Sequence, residues 1–306
     1  MSVETVSFQA CAFALAPLML GVINKTKAAF AGRTGAPLLQ PYHDLWKLLQ
    51  KGAVYSTTTS WVFRAGPLVG LTGVAAAMLL VPVGGAEAPV AFQGDFILFA
   101  GLLALARFWT VVAALDTGSS FEGMGASREV TLSSFAEPAL LLGLLVLAIV
   151  SGSLSLTHML GPGVAAPWRG ASGPALAIVV VALFLVLLAE NARIPVDDPN
   201  THLELTMIHE VMVLDHSGPD FACILYTSAL KLFLFAALLV GIIIPFRTGS
   251  VVADGAVFLA SVLGIAVAIG IVESSLARVR MTQVPHILIG AGVLAAVGVI
   301  LALAVR

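Results

Sequence analysis

From Glu190 the chain reads Glu-Asn-Ala-Arg-Ile-Pro-Val-Asp-Asp-Pro-Asn-Thr-His-Leu-Glu and runs on to Asp215-His216-Ser217-Gly218. Glu190, Arg193, Asp197, Asp198, Glu204, Glu210 and Asp215 fall within 26 residues, and His202, His209 and His216 recur every seven. If this part is helical, the three histidines drift only ~20° per repeat and share a face. Imidazole titrates near neutral pH, so a histidine face beside carboxylates suits proton relay or docking. A metal site is the weaker reading, because helical ligand pairs usually stand three or four residues apart. A solvated polar loop is the plain alternative.

Other charges lie where the sequence is otherwise apolar. Arg107 and Lys231 fall near the middle of long hydrophobic runs, and Glu137, Glu190 and Glu273 lie toward the ends of three others. A charge at mid-membrane costs at least ~2.5–3.5 kcal/mol, so such residues need a partner or a wet cavity. Burial raises a carboxyl pKa and a nearby cation lowers it, so these glutamates can be poised to take and release protons. Static ion pairing of Arg107 and Lys231 with them is the competing reading, although buried pairs alone add little stability.

The elements that must position these groups are transmembrane helices. Hydrophobic residues make up 59% of the chain, charged residues 10%, and the mean hydropathy is +1.03. A soluble domain carries roughly 25% charged residues, so lipid is the solvent here. Runs of the length that crosses a ~30 Å hydrocarbon core recur eight times. We place them at Val6 to Ile23, Ala65 to Val83, Phe96 to Leu115, Ser133 to Ser151, Ala175 to Ala192, Phe221 to Pro245, Val251 to Val272 and Ile287 to Val305. The expected fold is thus an all-α integral membrane domain covering residues 1–306.

Lys25, Lys27, Arg33, Lys47, Lys51, Arg64, Arg128, Arg193, Arg278 and Arg280 fall on one side of these spans, against Arg169, Arg247 and Arg306 on the other. The positive-inside rule puts the first set in the cytoplasm and both termini outside. In the first cytoplasmic loop, Leu38, Leu39, Tyr42, Leu45, Trp46 and Leu49 form a helical stripe too short to span, which reads as an interfacial amphipathic helix. Cys11 and Cys223 sit in apolar runs without cluster or disulfide spacing. There is no basic n-region for a cleaved signal, no basic arm for nucleic acid, and no internal repeat of the kind that marks inverted-repeat transporters.

The Glu-Asn-Ala-Arg-Ile-Pro-Val-Asp stretch and Asp-His-Ser-Gly resemble the signature loop of the complex I subunit 1 family. Leu39-Gln40-Pro41 with Asp44 and Lys47-Leu48 match that family's first cytoplasmic loop, and Arg278-Val-Arg280 its last. Leu115-Asp-Thr-Gly-Ser-Ser-Phe-Glu and Gly125-Ala-Ser-Arg-Glu129, with Glu137-Pro138 following, look like the branch found in formate hydrogenlyase and hydrogenase-4-type group 4 NiFe hydrogenases. Quinone-using members usually carry further acids where Asn200 and His202 stand, and an arginine near Glu273. Both departures favour the hydrogenase branch.

The resemblance implies a non-catalytic membrane subunit that holds no cofactor of its own. A NiFe centre and iron–sulfur clusters are expected in hydrogenase-like large and small partner subunits, with antiporter-like subunits beside it in a prokaryotic inner membrane. On this reading Glu137, Glu190, Glu273, Lys231, Arg107, Asp197, Glu204 and Glu210 form a proton or ion path. Asp116, Glu122, Arg128, Glu129, Arg193, Asp198, His202, His209, Asp215, His216, Arg278 and Arg280 belong to cytoplasmic docking loops. A quinone-binding subunit of a complex I-like dehydrogenase and a stand-alone ion-coupled transporter are the alternatives.

Overall fold

An unpaired backbone amide or carbonyl costs several kcal/mol in lipid, so apolar runs of this length close their hydrogen bonds within helices. The computed structural model describes residues 3–197, 207–245 and 247–305. The described residues form α1 (Val3–Phe30), α2 (Gln40–Leu49), α3 (Trp61–Met78), α4 (Asp95–Asp116), α5 (Ser120–Ser151), α6 (Leu156–Met159), α7 (Pro162–Arg169), α8 (Gly173–Glu190), α9 (Gly218–Ile243), α10 (Val251–Ser275) and α11 (Val284–Ala304). Eight of them, all but α2, α6 and α7, are long and apolar enough to cross a membrane. The protein is a multi-pass membrane protein, as the hydropathy requires.

α9 is the central helix, packed against α1, α3, α8 and α10. From Ala229 to Val240 its residues are buried almost all round, a pattern found only where a helix is enclosed on every side. Lys231 interrupts that run. Gly218 starts the helix with φ +54, a conformation glycine adopts without strain, and a Cβ there would meet the Gly52 carbonyl at 2.7 Å. The short helices α6 and α7 fill the Gly152–Ser172 connection that the sequence reads as a turn.

Phe8 of α1 lies against Gly84 and Gly255, and Gly298 of α11 lies against Val179 and the Ala175 carbonyl of α8. Both chain ends therefore sit at one end of the bundle. The other end carries the loops 31–39, 50–60, 117–119, 191–217 and 276–283, with most of the basic residues. α2 lies against α1 and α9, and its Tyr42 hydroxyl donates to the Ala14 carbonyl at 2.6 Å. Leu39, Trp46 and Leu49 remain more than half exposed, as an apolar stripe facing lipid should be.

The largest departure from the sequence reading is α5. It begins at Ser120, thirteen residues before the expected span start at Ser133. Its first turns are polar enough to break the hydropathy signal, yet Glu122, Gly125, Ala126, Glu129 and Leu132 are buried at helical spacing. The loop after α8 covers that face.

Candidate functional site

Arg107 lies on α4, nine residues from the helix end, with its side chain 8% exposed. Three carboxylates surround the guanidinium. Nη1 pairs with Glu137 of α5 and Nη2 with Glu190 at the end of α8, while Nε lies 3.2 Å from Glu129 of α5. The second oxygen of Glu190 takes the Lys231 ammonium of α9 at 2.7 Å. Four helices thus place five charged groups in contact, each cation compensated by acids, as burial in low dielectric requires. Glu137 is the odd member. Its side chain is 44% exposed on the outer wall of the bundle, in line with exposed Val130 and Leu141 on α5.

The cluster continues into the loop. Glu129 Oε2 lies 3.2 Å from His209 Nε2, and His209 Nδ1 lies 3.3 Å from Asp197 Oδ2. Asp197 Oδ1 accepts from Arg278 at 2.7 Å, and its Oδ2 from the Ile208 and His209 amides, both at 3.3 Å. The loop is held there by α5: Arg128 donates to the Met207 carbonyl at 2.9 Å, and buried Glu122 accepts from the Asp215 amide at 3.2 Å. Gly125 makes the approach possible, since a Cβ on it would strike Val211 at 2.3 Å. Burial opposes ionisation of Asp197, but His209 and Arg278 prevail and hold its carboxyl below the usual range. Burial likewise opposes charge on His209, yet Glu129 and Asp197 hold its pKa above the ordinary histidine value.

A second cluster joins Glu273 of α10 to Lys27 of α1 at 2.8 Å and to Arg193 at 3.4 Å. It stands apart from the Arg107 chain, so three glutamates expected in one cavity divide between two sites. Beside the Arg107 chain lies a cavity of about 460 Å³ between α3, α4, α9 and the loop. Glu190, Arg193, His209, Glu210, His216 and Lys231 supply its polar lining. Gly66, Gly70 and Ala113 leave the room on the opposite wall, and the exposed Leu214 stands at its rim.

Several residues read as docking loop have other work. Glu129 and His209 belong to the buried chain. Their helical register (Glu122, Gly125, Glu129 on one face) was the available signal, and the polar character of the segment hid it. Asp116 accepts from the Ser60 amide at 2.7 Å and hydroxyl at 2.8 Å, which fixes the start of α3. His216 stacks on Phe63 with ring centroids 3.9 Å apart, and burial pushes its pKa down to about 4 against the pull of Asp220 and Asp215. The shared histidine face does not form: His209 precedes a short 3-10 turn at Glu210–Val213, and His216 lies beyond it in a non-helical stretch. Asp215 and Arg280 are exposed. Asp198, His202 and Glu204 lie outside the described residues. Lys27, the partner of Glu273, was missed because it reads as one more basic loop residue.

Eight spans around a buried chain of alternating acids and bases, with a cavity feeding it from the basic end, define a polytopic membrane subunit built to hold charge inside the bilayer. Residues 3–304 match the NADH dehydrogenase family, and the chain belongs to it. It is 33% identical over 285 residues to formate hydrogenlyase subunit 4 of Escherichia coli strain K12, covering 90% of each chain. It is 33% identical over 279 residues to hydrogenase-4 component C of the same strain, covering 89% of this chain and 87% of that one. A membrane-complex relative, an NADH-quinone oxidoreductase chain of Rubrobacter xylanophilus, matches at 29% over 188 residues, 61% of this chain and 56% of that one. A chain of the membrane-bound sulfane sulfur reductase, an archaeal respiratory membrane complex, shares the fold with a TM-score of 0.83 over 98% of both chains at 21% identity.

Proposed function

We propose that this chain is the membrane-anchoring, energy-coupling subunit of a membrane-bound hydrogenase complex of the formate hydrogenlyase type. The observation that carries the reading is the unbroken run Lys231–Glu190–Arg107–Glu129–His209–Asp197–Arg278, which joins the middle of α9 to the loops at the basic end. The likeness to the two Escherichia coli hydrogenase-complex proteins over nine-tenths of the chain favours this branch over the quinone reductases. On this reading the basic end faces the cytoplasm of a prokaryotic cell and both termini face outward. Hydrogenase-like large and small subunits with the NiFe centre and iron–sulfur clusters dock on the basic end, and antiporter-like subunits pack alongside.

The chemistry follows from the groups. Water in the cavity brings protons to the ion-pair chain. Arg107 never gives up its own proton, but it compensates three carboxylates at once. When one of them is protonated the guanidinium turns its hydrogen bonds to the others, so the charge of the cluster stays shared while the proton sits on a glutamate. Glu137, half-exposed at the outer wall, is the exit toward a neighbouring membrane subunit, since a carboxylate facing bare lipid is costly.

Glu137→Gln tests this. Glutamine keeps the hydrogen bond to Arg107 but carries no exchangeable acidic proton. Arg107 retains Glu129 and Glu190, so the assembled complex should accumulate normally. Hydrogen turnover by that complex in sealed vesicles should form a pH gradient several-fold smaller than wild type. A gradient of wild-type size at normal yield refutes the path.

A further inference from the structure

His209 is set between two carboxylates, one on each ring nitrogen. Ionised carboxylates only accept hydrogen bonds, so both contacts are favourable at once only when the ring carries both protons. A neutral ring would turn a lone pair toward one of them. The charge count over the chain agrees: Arg107, Lys231, Arg278 and His209 stand against Glu129, Glu137, Glu190 and Asp197, and the sum is zero only with the imidazolium.

The two sides of the ring are not equivalent. Asp197 is committed to Arg278 at 2.7 Å and to two backbone amides besides Nδ1, so it stays an acceptor and holds the Nδ1 proton in place. Glu129 faces Nε2 and meets Arg107 through its other oxygen. A quarter of the His209 side chain is exposed, and the residue lines the cavity. No other described side chain touches both the loop anchor Asp197 and the intramembrane cluster.

We propose that His209 is the group that loads the transported proton into the membrane cluster. This rests on the proton-path reading above. The imidazolium releases its Nε2 proton to Glu129 Oε2: the N–H bond breaks, the O–H bond forms, and ring and carboxyl are both left neutral. Arg107 then loses one anionic partner and keeps Glu137 and Glu190. Cavity water returns a proton to Nε2, and Asp197 keeps the ring oriented throughout as a positioning residue. The charged groups facing the ring are Glu129 from α5, Asp197 from the loop after α8 and Lys231 from α9. Arg107 lies behind Glu129, and Arg278 behind Asp197. Loading should therefore fail above the raised pKa of the ring, where Nε2 is bare at rest.

His209→Arg separates a relay from a structural bridge. Arginine supplies permanent charge and donors for both carboxylates, yet cannot release a proton. In the purified complex, reconstituted in sealed vesicles, we expect wild-type yield and a pH gradient per hydrogen turned over at least tenfold smaller. A gradient within twofold of wild type shows that His209 only bridges charges and overturns the inference. Should the arginine variant not assemble, His209→Ala decides: recovery of the gradient on adding imidazole supports a relay at this site, and no recovery overturns it. A wild-type complex that forms no gradient overturns the proton-path reading together with the inference. A gradient lost in Glu137→Gln but kept in His209→Arg overturns the inference alone.

Discussion

Replacing Glu190 with glutamine should destabilise the complex through Lys231 and hardly through Arg107. After the change Arg107 still has Glu129 at 3.2 Å and Glu137, whereas Lys231 loses the carboxylate at 2.7 Å. No other acid among the described residues forms an ion pair with Lys231. Removing one partner of a buried pair costs ~3–5 kcal/mol, because the remaining charge is left uncompensated. The Lys231 side chain is 17% exposed and borders the 460 Å³ cavity, whose water takes up part of that charge. We therefore expect the lower end, about 3 kcal/mol, or roughly a hundredfold in the equilibrium. Lys231→Met alone should cost less, since Glu190 keeps Arg107. In the Glu190→Gln background it should restore most of the loss, because the orphaned charge is gone. The assay is a double-mutant cycle read as accumulation of assembled complex in membranes and as the thermal midpoint of the purified complex. If Glu190→Gln accumulates normally, or the double variant is no more stable than the single, the charge of Lys231 is not compensated by Glu190 and the reasoning fails.

The anchoring of the loop should depend on pH from both sides. Asp197 is depressed, so its contribution is present above the ordinary carboxylate pKa of ~3.9 and is lost as pH falls through its folded value. His209 is raised, so its contribution is complete below ~6.5 and is lost as pH rises through its folded value. Limited proteolysis of the complex should then find the segment after Met207 best protected near pH 5–6 and more readily cut toward pH 9. Gly125→Val should push Val211 and the Ile208 carbonyl off α5 and separate Glu129 from His209, costing ~1–3 kcal/mol by overpacking. Loss of the pH gradient at wild-type helix content is the expected readout, and an unchanged gradient counts against the loop as part of the path. Reporters fused after Lys51 or Asp215 should report a cytoplasmic location, and one after Arg306 an outside location. A cytoplasmic C-terminus contradicts the assignment of the basic end.

Some of this is visible in one dimension because lipid imposes it. An apolar run near twenty residues has no stable form in a bilayer except a helix, so the eight spans follow from hydropathy alone. The cost of mid-membrane charge singles out Arg107, Lys231, Glu137, Glu190 and Glu273 without any knowledge of packing. The stripe from Leu38 to Leu49 likewise declares an interfacial helix. The family resemblance was carried by local strings of residues, the Glu190–Asp197 stretch above all, and the match over residues 3–304 agrees with it.

What hydropathy cannot express is which charges meet. Glu129 sits on a polar helical extension that only becomes a buried face when the loop folds onto it, and Gly125 is what lets the loop come that close. His209 and His216 are seven residues apart, yet one bridges two carboxylates and the other stacks neutral on Phe63, because the chain between them turns instead of continuing a helix. Glu273 looked equivalent to Glu190 by depth, but α10 packs beside α1, and so its partners are Lys27 and Arg193 rather than Arg107. Hydropathy and spacing determined which elements cross the bilayer and which residues had to find partners there. The partners themselves were decided by helix packing and by the folding back of the loop after α8, since contacts across the bundle leave no period in the sequence.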